Sequence, residues 1–125
     1  MHILFIADPL DSFKTYKDST FAMMREAVRR GHRVSACVSA QLQWQRGGLV
    51  QAHTRELTLT GDATDWYRAS TAQSTALKDF DAVLMRKDPP FDSEYFYDTH
   101  LLQQAEREGA RVFNKPAALR DHPEK

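Results

Sequence analysis

Apolar residues along the chain come in short blocks of two kinds. Residues 3–7 form an unbroken apolar run closed by Asp8-Pro9, the pattern of a strand covered on both faces, as a parallel sheet requires. After a polar loop, Ser19-Thr20 precede Phe21, Met24, Ala27 and Val28, with Gly31 beyond them. That spacing predicts a capped helix with one apolar face, ended by glycine. Residues 33–38 then read as a second strand, completing a β-α-β unit whose crossover is expected to be right-handed. In the middle, 42–44 and 49–59 read as extended segments around Gly47-Gly48, a hairpin signature. Residues 62–70, with Trp66 and Tyr67, are expected to form a short helix, and 71–78 a loop. Residues 82–85 give another buried strand. Ser93 then opens a helix with Tyr97, Leu101 and Ala105 on its apolar face before Gly109, and 111–113 close as a last strand. Two β-α-β units around a hairpin insertion predict an α/β fold, a doubly wound open sheet of mostly parallel strands with helices on both faces.

At 125 residues the chain is one domain's worth. The tail from Asn114 to Lys125 has loop chemistry and stops where Pro123-Glu124 resemble a first helical turn, so a truncated chain is expected. No stretch approaches the roughly 20 apolar residues of a membrane span, and the first residues lack a basic leader. A cytoplasmic protein is expected. Lys plus Arg equal Asp plus Glu at 17 each, so net charge draws the chain toward neither nucleic acid nor an anionic membrane. Cys37, alone in the apolar run 34–38, reads as a buried structural thiol, since a reactive thiolate needs a basic, partly exposed setting.

Ligands of open α/β sheets bind beyond the carboxyl ends of the strands. Asp8 follows the first strand, Arg86, Lys87 and Asp88 follow the strand ending at Met85, and Asn114 and Lys115 follow the last one. Arg86 suits bidentate recognition of a carboxylate or phosphate, and serves equally well as a partner that holds the loop through Asp88. Asp88 before Pro89-Pro90 favours a structural turn. Asp18, Ser19 and Thr20 open a helix, a position that suits an anion and suits capping somewhat better. No Gly-x-Gly-x-x-Gly or P-loop stands in the chain, the five histidines lack zinc-motif spacings, and neither a nucleophile nor a carboxylate pair stands out. The aromatic residues Trp44, Trp66, Tyr67, Phe91 and Phe96 are expected to pack in the core or at an interface.

Four stretches in order, 17–24, Ala52-His53-Thr54-Arg55, Leu84-Met85-Arg86-Lys87-Asp88-Pro89-Pro90-Phe91-Asp92, and Asn114-Lys115-Pro116 to Asp121, together resemble bacterial glutathione synthetase. The resemblance runs the length of the chain. It implies a Rossmann-like pre-ATP-grasp domain over residues 1–121, with 122–125 beginning the ATP-grasp region. It also implies an ATP-dependent ligase that phosphorylates the cysteinyl carboxylate of γ-glutamylcysteine and lets the amine of glycine attack the acyl phosphate. ATP and Mg²⁺ belong to the full-length enzyme, expected to be a homo-oligomer, and none is expected bound to these 125 residues, which are expected to be inactive alone. By the same resemblance Arg86, Asp88, Asp18, Ser19 and Asn114 border the peptide, and Lys125 matches a lysine that reaches the nucleotide. Segments 44–50 and 70–78 carry no motif of the family. A stand-alone binding or regulatory module and a purely structural assembly domain remain the alternatives on residues alone.

Overall fold

The computed structural model describes residues 1–15, 18–45, 47–86 and 93–113, the last range without the side chains of 93–95. The two apolar runs become neighbours at the centre of a sheet. Strand β1, His2–Ile6, is flanked on one side by β2, Arg33–Cys37, and on the other by β7, Ala82–Met85, both parallel to it. Beyond β7 lies β8, Val112–Phe113, also parallel. Each inner strand is covered twice. Leu4, Ile6, Val83, Met85 and Val112 pack with Leu101, Leu102 and Ala105 of helix α2, Ser93–Arg107, while Ile3, Phe5, Val34 and Ala36 pack with Phe21, Met24 and Ala27 of helix α1, Ser19–Arg29. Period-two alternation on a strand with helices above and below demands this continuous apolar composition.

The other flank is antiparallel. Strand β4, Gln51–Leu59, sets its second half against β2 and its first residues against β3, Leu42–Gln43. This is the expected hairpin, with Gln43 opposite Gln51 and Gly47 at a φ of 82° in its turn. The outer side of β4 carries β5, Tyr67–Ala69, and β6, Gln73–Ala76. The eight strands among the described residues form one open sheet, with β3-β4-β2-β1-β7-β8 as its continuous path.

Several expectations need correction. Residues 62–70 are a turn followed by β5, not a helix. Asp62 Oδ1 accepts from Thr64 N and Asp65 N at 2.7 and 2.9 Å, and Thr60 N donates to Trp66 O, closing a tight loop. Residues 71–78 supply β6 and a 3-10 turn rather than a loop, because β4 offers a second edge to pair with. Of the three residues expected at the start of α1, Asp18 is the one that caps it, whereas Val28, expected on the apolar face, turns outward. In α2 the covered face is Asp98, Leu101, Leu102 and Ala105, one position round from the expected one, so Tyr97 is 61% exposed. Trp44 is 41% exposed, its indole donating to Gly48 O at 3.0 Å, whereas Trp66 is buried as expected. Phe91 lies outside the described residues.

The amino-terminal edge holds a titratable residue. The ring of His2 sits 2.6 Å from Ser35 Oγ through Nε2 and edge-on to Phe80, and its backbone N–H donates to Asp81. Burial first, then Arg33, lower the His2 pKa from its ordinary 6.5, with Glu56 and Asp81 opposing. A histidine whose folded pKa is depressed takes up a proton on unfolding, so stability is complete above 6.5 and falls as the pH drops from there through the lowered value. Urea midpoints measured across that window are expected to fall with pH in the wild type and to flatten in His2→Gln.

Candidate functional site

The carboxyl ends of β1, β2, β7 and β8 point to one edge, since all four run parallel. From β1 the chain moves outward to β2, and from β7 outward in the opposite direction to β8, so the β1/β7 boundary is the switch point where such sheets open a crevice. Arg86 stands there. Its backbone N–H donates to Ile6 O at 2.8 Å, extending the β1–β7 ladder by one bond, and its half-buried side chain crosses to the start of α1. Nη2 donates to Ser19 Oγ at 3.1 Å and Nε to Thr20 Oγ1 at 3.4 Å. The strand alternation explains the direction. Leu84 packs on the α1 side and Met85 on the α2 side, so Arg86 returns to the α1 side.

Electrostatics make this an anion-seeking arrangement. A helix start already carries partial positive charge from its free N–H groups, and a guanidinium is held against it. Asp18 answers part of that charge: its Oδ1 accepts from Thr20 N and Phe21 N at 2.9 and 3.2 Å. Among the described residues Arg86 forms no ion pair, and its two hydroxyl partners leave most of the guanidinium N–H donors for another acceptor. Capping is therefore a role Asp18 performs here. Asp18→Ala is expected to cost about 1–2 kcal/mol of stability, while Asp18→Asn, which still caps, is expected to cost only a few tenths, as read by urea unfolding.

A second recess opens on the same edge, a cleft of about 160 Å³ whose walls include Asp8, Cys37, Gln41, Arg55 and Tyr67. Asp8 belongs to the strand ends picked out from the sequence. Arg55, Gln41 and Tyr67 do not, because Arg55 lies inside antiparallel β4 and reaches the edge only through its pairing with Ala36 of β2. Its place in the Ala52–Arg55 stretch was the signal available. Cys37 is 6% exposed, and burial, followed by Asp98, pushes its thiol up to about 12, so it walls the cleft rather than reacting there. Of the sequence-predicted site residues, Arg86 and Ser19 are in contact and Asp18 caps the same helix start. Asp88, Asn114 and Lys125 lie outside the described residues.

A sequence model described as "Prokaryotic glutathione synthetase, N-terminal domain" matches residues 1–120. The chain belongs to that family. Glutathione synthetase of Ralstonia nicotianae is 59% identical over the whole chain, that of Neisseria meningitidis serogroup B 50% identical, likewise over the whole chain, and that of Vibrio cholerae 46% identical over 96% of it. The matched regions make up 38%, 40% and 37% of those relatives, so the chain spans about two fifths of the glutathione synthetases it matches. The Rossmann-like α/β architecture expected of the family's first domain is the one observed. Among the described residues no helix is long and apolar enough to cross a membrane.

Proposed function

We propose that this chain is the substrate-side domain of an ATP-dependent ligase that makes glutathione. In that reaction the γ-phosphoryl group of ATP passes to the cysteinyl carboxylate of γ-glutamylcysteine, ADP leaves, and the amine of glycine displaces phosphate from the acyl phosphate to form the new C–N bond. The domain's part is to bind and orient the peptide at the carboxyl edge of its sheet. The observation that carries this reading is the guanidinium of Arg86, held by Ser19 and Thr20 at the switch point with donors to spare. A fork preset by two hydroxyls meets a carboxylate at low entropic cost, which is how binding energy is turned into positioning.

Asp18 and Ser19 border the same pocket, Asp88 and Asn114, which follow β7 and β8 in the sequence, complete it, and Lys125 reaches the nucleotide from a region that begins at residue 122. Among the described residues no three or more His, Cys, Asp or Glu side chains gather to hold a metal ion. ATP and its Mg²⁺ belong to the full-length enzyme in this reading, and no step here runs through the metal. The working enzyme is cytoplasmic and homo-oligomeric.

The test is direct. Full-length protein carrying this domain should form glutathione from ATP, γ-glutamylcysteine and glycine, and the 125-residue chain alone should form none. A full-length protein that hydrolyses no ATP and joins nothing with these substrates would overturn the reading.

A further inference from the structure

The broad face made by α2 and the turn of the β3–β4 hairpin takes no part in the site described above. Tyr97 stands out from it, and Trp44 and Leu49 of the turn are exposed beside it. Tyr97 helps to wall two recesses, one of about 530 Å³ against Trp44 and Leu49 and one of about 250 Å³ against Trp44, Leu101 and Arg107. Among the described residues Arg107 is the one formally charged side chain on those walls, in a chain that is 27% charged. Tyrosine, tryptophan and arginine with other charges depleted are the composition found at the centre of a protein interface. The face lies on the α2 side of the sheet, opposite α1, to which Arg86 turns.

Its shape points to a second copy of the same chain. A protruding ring beside a recess that admits a ring is complementary to itself under a two-fold rotation, which is the condition for an isologous contact. A cavity of about 150 Å³ holds benzene, so the recess of about 250 Å³ admits a phenol. The outer stripe of α2 agrees. Tyr97, His100, Gln104 and Arg107 follow one another at i, i+3, i+7 and i+10, a single seam along the helix. When that seam is laid antiparallel on its own copy, Tyr97 meets Arg107 at both ends and His100 meets Gln104 between them. Arg107 is exposed, makes no ion pair among the described residues and donates to Gln104 Oε1 at 3.3 Å. A guanidinium on the face of a phenol ring is an attractive pairing, and a two-fold axis makes it twice.

We propose that this face is an isologous interface between two copies of the protein, with α2 antiparallel to its mate and Tyr97 of each copy seated in the recess between Trp44 and Arg107 of the other. This rests on the homo-oligomeric reading above and gives it a surface.

Sedimentation of the full-length enzyme tests the interface through a charge swap. Tyr97→Arg sets two like charges against each other at each end of the seam and is expected to halve the mass of the oligomer. Adding Arg107→Glu to that variant turns each repulsion into an ion pair and should restore the mass. Tyr97 and Arg107 are about 15 Å apart along one helix, so no contact within a chain explains the rescue. Arg107→Ala alone should raise the dissociation constant about 5- to 30-fold, the effect of losing two exposed cation–π contacts. Glutathione formation by each variant, expected to match wild type per subunit, shows that the chain has folded. A mass unmoved by Tyr97→Arg, or halved and not restored by Arg107→Glu, would overturn the interface. So would an unchanged mass with lost activity, which would assign the face to the remainder of the enzyme. A wild type that sediments as a monomer removes the oligomeric reading as well and leaves the ligase reading standing.

Discussion

Trp66→Ala is expected to lower the unfolding free energy by about 3–5 kcal/mol, the cost of emptying a large aromatic site that cannot collapse. Trp66 is 3% exposed and joins three separate parts of the chain. It stacks on Phe13 of the loop after β1 at 5.4 Å between ring centroids, meets Phe21 of α1 edge-on at 5.1 Å, and leans on Tyr67 of β5 at 4.7 Å. Alanine abolishes all three aromatic contacts and opens a void between the β4–β5 hairpin and α1. Trp66→Phe, which keeps a ring, should lose distinctly less. Urea unfolding with an unchanged denaturant slope is the measurement, and a loss under about 1 kcal/mol would show that the indole is not the bolt between hairpin and helix.

That residue also shows what a single sequence reveals. The inner strands β1 and β7 were legible because burial on both faces leaves only apolar residues to use, and Gly31 was legible because the chain leaves α1 at a φ of 86°. Strands β5 and β6 were not, since each lies on the outer side of β4 and carries mostly exposed residues, so alternation never develops. The turn that delivers Trp66 to the core is built from Asp62 and Thr60 side chains bonding nearby backbone, which competes with helix in a stretch whose composition reads as helical. The site divides in the same way. Arg86 and Asp8 follow from the rule that ligands gather at strand ends. Arg55 depends on an antiparallel register between residues 36 and 55 that no local pattern encodes.

Arg86→Ala in full-length enzyme is expected to raise the KM for γ-glutamylcysteine by a factor equivalent to about 2–3 kcal/mol, roughly 30- to 150-fold, if its fork meets a peptide carboxylate. The effect should fall on this substrate and leave the KM for ATP alone, because the guanidinium reaches the start of α1 and the crevice between β1 and β7. Stability should change little, as the side chain gives up two hydrogen bonds to hydroxyls on a partly exposed edge. Arg86→Lys keeps the charge but loses the planar fork, so it should recover only part of the loss. A lysine variant equal to wild type would show that charge alone serves there. An alanine variant with unaltered KM would assign Arg86 to holding the loop and α1 together.

A crystal structure of the full-length enzyme with γ-glutamylcysteine bound tests the proposal that the carboxyl edge of this sheet seats the peptide. A peptide carboxylate oxygen is expected about 3 Å from an Arg86 guanidinium nitrogen, with the peptide lying across the end of β1 and the start of α1. A peptide seated wholly within the remainder of the enzyme, touching neither Arg86 nor the loop after β1, would contradict it.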